Sequence, residues 1–167
     1  MSRLTLIACL AASALLTALP AAAVDTFVVE GEEHCVVNVA SWDRLNVRDE
    51  PSSSGEIVTR HRYGDCGIVV TGGPEGSWYL VEDGHYEGWV NGKFISMVSP
   101  ALYCVTGVDD DDVLNLRAYP SAISRIVEEL EPFQCDIAFL PYAVNGWQKV
   151  RVDGDEGWVK AEFVSGE

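Results

Sequence analysis

Cys35, Cys66, Cys104 and Cys135 hold most of the reactive chemistry that this 167-residue sequence offers. A thiol can act as a nucleophile beside a histidine, ligate zinc, or close a disulfide. The first role needs a free thiolate with a base in reach. His34, His61 and His85 each stand among polar or turn residues, which reads as exposed loop histidine and not as a base. Zinc needs clustered Cys and His, whereas Cys35 and Cys66, like Cys104 and Cys135, are 31 residues apart with no C-x-x-C between them. Four cysteines in a short chain point instead to disulfides, in any of three connectivities, where the chain is exported. A fifth, Cys9, falls in an apolar N-terminal run.

Asp109 to Asp112 is the densest run of charge. Calcium favours such oxygens, but an EF-hand loop spaces its ligands around a central glycine and ends on a glutamate. No such pattern follows, so the run reads as a solvated turn. Neither a metal nor a cofactor is expected. No catalytic set stands out, and the chain is not expected to be an enzyme. The aromatic residues carry the better functional signal. Trp78 and Trp147 each open an alternating apolar stretch just after a loop, "GGPEGS" in one case and "AVNG" in the other.

The elements that position these residues come from a repeat. Residues 35–98 laid over residues 104–167, with an offset of 69 and no gap, are identical at 21 of 64 positions. Cys35 falls on Cys104, Cys66 on Cys135, "LN-x-R-x-x-PS" on itself, Trp78 on Trp147 and "EGWV" on "EGWV". The chain is two copies of one unit. The period is too long for a solenoid, so each copy reads as a small domain. The expected division is a leader over 1–23, a first domain over 24–98, a linker over 99–103 and a second domain over 104–167. Each unit reads as all-β. "LNVR" and "LNLR" alternate, with Leu45, Val47, Leu114 and Leu116 facing a core. Asn46 is expected to bond turn backbone and Arg48 to pair with a carboxylate. "NGKFIS" and "KAEFVS" are long enough for one helical turn at most. Short strands at close spacing in about 60 residues suggest a small barrel.

The order "LNVR-x-x-PS", "IV", a "GD" turn, "W", "GWV" and a closing "F-x-S" resembles the bacterial SH3 domain. Both copies match over almost their whole length, so the fold expected is two tandem SH3-like β-barrels. The second copy departs at the turn, where Phe133 and Gln134 replace "GD". By analogy with such barrels, Trp78 and Trp147 border a peptide groove, each partly exposed, and Trp89 and Trp158 are more buried. Trp42, Tyr63 and Tyr79 in the first copy, and Tyr119 and Tyr142 in the second, are candidates to line it. Alternatively these aromatics cover the barrels or fill the contact between them. Because each unit carries one cysteine pair at matching positions, Cys35–Cys66 and Cys104–Cys135 is the simplest pairing. Links between units would need an interface that brings equivalent sites together. Closing a 31-residue loop would stabilise a small unit by about 3–4 kcal/mol in the chain-entropy picture.

The ends and the charge set the compartment. Arg3, the uncharged run "LTLIACLAASALLTAL" and the small residues Ala21 and Ala23 have the form of a signal peptide cut after Ala23. "LIAC" is similar to a lipoprotein box, but the apolar stretch lies mostly after Cys9. Cleavage would remove Arg3 and no acidic residue, leaving 10 Lys/Arg against 26 Asp/Glu and a formal charge of −16. Such a chain repels nucleic acid and anionic lipid. It is expected in the periplasm or secreted, not membrane-embedded once cleaved. The partner expected is a peptidoglycan peptide or a protein segment. The alternative is an acidic interaction or inhibitor protein acting on a basic partner.

Overall fold

The structure is a computed structural model that describes residues 23–166. Residues 1–22, with Cys9 and nearly all of the leader expected over 1–23, lie outside the described residues. The first unit runs β1 (Glu33–Val36), β2 (Leu45–Arg48), β3 (Ile57–His61), β4 (Ile68–Glu75), β5 (Trp78–Glu82), β6 (Glu87–Asn91), a 3-10 turn (Gly92–Phe94) and β7 (Ile95–Met97). The second runs β8 (Tyr103–Val105), β9 (Leu114–Arg117), β10 (Ile126–Leu130), β11 (Ala138–Val144), β12 (Trp147–Val152), β13 (Asp155–Lys160), a 3-10 turn (Ala161–Phe163) and β14 (Val164–Gly166). The first sheet has the order β3-β2-β6-β5-β4-β1-β7. The second repeats it as β10-β9-β13-β12-β11, with the β8–β14 pair attached through a bridge between Tyr103 and Ile137.

The two repeated phrases of the sequence meet in space. Arg48 pairs with Trp89, and Arg117 pairs with Trp158, where β2 crosses β6 and β9 crosses β13. The crossing is so close that a Cβ on Gly88 would lie 2.6 Å from the Arg48 carbonyl oxygen, and one on Gly157 would lie 2.6 Å from Leu116. Only glycine fits there. Arg48 does not pair with a carboxylate. Its Nη1 donates to the Gly55 carbonyl at 2.6 Å, and Arg117 donates to the matching Ser124 carbonyl at 2.8 Å. The arginine therefore pins the loop that follows its own strand, while Asn46 accepts from Arg60. Leu45, Val47, Leu114 and Leu116 are buried in two separate cores, as the alternation predicts.

The turn that lost "GD" keeps its shape. Phe133 takes φ 64° where Gly64 has φ 89°, and Gln134 accepts from the Glu131 N–H as Asp65 accepts from the Arg62 N–H. A side chain in this region costs about 1–2 kcal/mol. Both disulfides form, Cys35–Cys66 and Cys104–Cys135. They differ in setting: Cys35 is fully buried, whereas Cys135 is exposed.

A third apolar cluster joins the units. Cys35, Val37 and Val98 of the first pack against Ala138, Leu140 and Tyr142 of the second. The Tyr142 hydroxyl donates to the Val36 carbonyl at 2.8 Å, and its ring meets Tyr63 edge-on at 5.3 Å. Beside them Arg151 grips Glu33 with two bonds, of 2.8 and 3.0 Å, and also holds Glu156. The arginine holds the Glu33 carboxyl below its ordinary range. The Tyr142 and Tyr63 hydroxyls are both pushed upward by burial.

A strap over residues 24–32 lies along the first unit. Asn38 clips the backbone of Val24 on both its N–H and its carbonyl, and Ser96 accepts from Phe27. His34 is the third fastening, and it is not the exposed histidine expected from the sequence. It is fully buried, with Nδ1 at 2.9 Å from the Glu32 carbonyl and Nε2 accepting from the Val29 N–H at 3.1 Å. These partners require the neutral ring with its proton on Nδ1. Burial lowers its pKa from 6.5. His61 is also half-buried, 3.2 Å from Asp83, and only His85 is exposed.

Two outcomes follow from these settings. Mild reduction of the folded protein should open Cys104–Cys135 before Cys35–Cys66, as read by alkylation and mass spectrometry; the reverse order would mean that Cys35 is not shielded. Because the fold disfavours charged His34, its contribution to stability is complete above pH 6.5 and is lost as the pH falls. Glu33 and Glu156, held below 4.5, act the same way at lower pH. The melting temperature should thus fall in two stages on acidification. His34→Gln should abolish the upper stage alone, and a melting curve that still declines from pH 7 to 5.5 in that variant would assign the upper stage elsewhere.

Candidate functional site

The structure gathers some of the expected aromatics and scatters others. In the first unit, the loop between β1 and β2, the start of β5 and the 3-10 turn after β6 enclose a groove of about 500 Å³. Trp78 forms one wall, with Asn46 and Arg48 of β2 on the floor strand and Arg44, Asp43 and Lys93 at the rim. A second groove of about 510 Å³ carries Trp42, Tyr63 and Val24. The two border one loop, sharing Asn38, Val39 and Ala40, and this pair of adjoining hollows is the trough. Trp78 is half-buried, and Trp42 is 86% exposed.

Tyr79 does not join Trp78. Consecutive residues of a strand point to opposite faces, so Tyr79 shares the inward side of Val81, packs on the first core and sits under Gly92. Tyr119 stands 72% exposed on the β9–β10 loop, outside the lining of the matching groove. Tyr142 does not line the second unit's hollow: it is 5% exposed and fills the contact between the units. Tyr63 touches both that contact and the trough.

Trp147 also departs from expectation. It is only 7% exposed, more buried than Trp158, which is half-buried. Lys160 replaces Asn91 of the first unit, and its Nζ lies 5.0 Å over the Trp147 ring. A lysine in that position is held by the ring's negative face and covers it with its own stem. The hollow in the second unit shrinks to about 270 Å³, is lined by Asp109, Asp112, Val113 and Phe163 among others, and leaves Trp147 out. The Asp109–Asp112 run forms a turn, closed by the Asp112 N–H on the Asp109 carbonyl, and the Asp43 N–H bonds the Ala40 carbonyl in the same way in the first unit.

Reading single residues missed Asn38, Arg44 and Lys93, which shape and charge the first groove. The signal that could have found them is divergence between the copies. Asn38 faces Gly107 in the alignment, Arg44 faces Val113 and Lys93 faces Glu162.

The sheet order and the two small cores define the class: an all-β protein of SH3-like units. Residues 43–96 match the family model of the bacterial SH3 domain. The match covers the trough's β2, β5 and β6 walls. Among solved structures the chain is similar to NlpC2 from Trichomonas vaginalis, at 12% identity and TM-score 0.38, over 81% of this chain and 48% of that one. It is likewise similar to NlpC1 from Trichomonas vaginalis, at 12% identity and TM-score 0.38, over 91% of this chain and 51% of that one. The chain thus spans about half the length of each. No curated protein matches it.

Trp78→Ala should lower stability by at most about 1–2 kcal/mol, because the ring is already half in water. Trp147→Ala should cost about 3–5 kcal/mol, the range for emptying a buried aromatic site. Urea melts of both variants check the asymmetry, and equal losses would contradict it.

Proposed function

We propose that the protein is an exported, non-catalytic binding module that docks a peptide in the trough beside Trp78. The peptide is a cell-wall stem peptide or a segment of a partner protein. The observation that carries this reading is the contrast between the two tryptophans at one repeat position. Trp147 is sealed by its own chain, whereas Trp78 stands half-open against a groove bordered by loops. A half-exposed indole in a concave site is the usual anchor of a binding surface. Trp42, Tyr63 and Val24 extend the trough and give an extended ligand a second foothold. In this reading the second barrel is a support. It buries Cys35, Val37 and Val98 and fixes Tyr63 through Tyr142.

The disulfides suit an oxidising compartment, the periplasm or the exterior. Among the described residues no helix is long and apolar enough to cross a membrane.

Retention on purified peptidoglycan at low and high salt tests the stem-peptide form. The wild type should be retained at both. Trp78→Ala should weaken retention by about 1–3 kcal/mol, as expected of an aromatic anchor, and Lys160→Gln should have no effect. Retention that disappears with salt and ignores Trp78 would replace the groove with a surface charge contact.

A further inference from the structure

The first groove carries a charge opposite to that of the rest of the chain. The sequence has 11 Lys/Arg against 26 Asp/Glu. Yet the groove is lined by three cations, Arg44, Arg48 and Lys93, and one carboxylate, Asp43. Arg48 is spent on the Gly55 carbonyl. Arg44 and Lys93 keep N–H donors with no acceptor among the described residues. Arg44 places one N–H on the Asp43 carbonyl at 2.8 Å, which leaves most of its guanidinium donors unassigned among the described residues. The Lys93 ammonium rests 4.7 Å from the Phe94 ring, and neither side chain forms an ion pair among the described residues. The Lys and Arg side chains that do form ion pairs among the described residues, Lys149 and Arg151, serve the contact network of the second unit.

At the same positions the second unit has lost this character. Val113 stands for Arg44, Glu162 for Lys93 and Asp109 for Ala40. Its hollow is lined by Asp109 and Asp112 and by no cation. Sealing of Trp147 and reversal of charge therefore occur in the same copy.

We propose that the first groove takes a carboxylate-bearing peptide, with Arg44 and Lys93 receiving the carboxylates and Trp78 packing on the chain between them. This rests on the peptide-docking reading above and adds the ligand's charge. An acidic protein that places two cations without ion pairs, Arg44 and Lys93, beside an open indole has a local site for anions within a field that repels them. At physiological ionic strength the screening length is about 8 Å. The distant carboxylates are damped at that range, and the rim cations are not. Charge-assisted hydrogen bonds from a guanidinium fork suit a carboxylate. The Asn46 amide on the floor strand, whose Oδ1 already accepts from Arg60, retains its N–H₂ for a peptide carbonyl. A phosphate polymer would satisfy the cations but would have no use for the indole or the amide.

The test uses the full chain, immobilised, and two synthetic pentapeptide libraries. One has glutamate at fixed positions and a free C-terminus; the other has glutamine there and a C-terminal amide. The acidic library should be retained about tenfold better, the worth of one charge-assisted hydrogen bond. Arg44→Gln and Lys93→Gln should each remove most of that preference, while melting curves stay unchanged because both heads lie at the surface. Inorganic phosphate at equal concentration should not displace the retained peptides. Equal retention of both libraries, lost in Trp78→Ala, would overturn the carboxylate assignment and leave the groove reading standing. Retention indifferent to Trp78→Ala, or no retention of either library, would overturn both. Displacement by phosphate would reduce the site to a general anion site and refute its peptide class.

Discussion

The close crossing of two strands at a glycine governs each unit. β2 and β6, like β9 and β13, approach to where a single methyl would clash with the opposite strand. Gly88 permits that approach in the first unit and Gly157 in the second. The neighbouring arginine then ties the following loop to the strand, through Gly55 or Ser124. Core, loops and groove all take their positions from that crossing. This is why the chain spells "LN-x-R" and "EGWV" twice: they are two halves of one contact.

A second layer of structure comes from where the copies differ. The outward face of β4 carries Thr71 and Gly73, both in contact with solvent to some degree. The matching residues of β11 are Leu140 and Tyr142, and both are buried against the first unit. Glu82 on β5 becomes Arg151 on β12, which reaches across to Glu33. Small barrels bury a modest share of their surface, and joining two of them through an apolar cluster with a charged rim gives each a further covered face. The first unit contributes its disulfide to that face. The second, having turned one side to the contact, closes its own groove with Lys160.

The difference between the two units is thus a matter of substitution on a common frame. Asn38 illustrates it. At φ 57° it holds a conformation that Gly107 adopts freely in the second unit. The asparagine is accepted because its amide clips Val24, which brings the strap to the edge of the trough. The strap is anchored again by Ser96 and by His34, the latter buried where a histidine in a polar stretch would be read as exposed.

The sequence by itself determined the strands, the two-unit repeat, the core residues Leu45, Val47, Leu114 and Leu116, and the matched cysteine pairs. These depend on alternation, turn chemistry and spacing, which are local properties, or on identity between copies, which is visible without coordinates. The first-unit candidates Trp78, Trp42 and Tyr63 were legible because loops and aromatics adjoin in the chain. Only the tertiary structure decided that Trp147 is sealed, that Tyr142 belongs to the contact between units, and that Arg44 and Lys93 line the open groove. Each of these depends on what a second, distant segment places opposite the side chain: Lys160 over Trp147, Val36 against Tyr142, the β1–β2 loop against the turn after β6. A sequence states which residues can be buried; the packing of one segment on another selects which of them are.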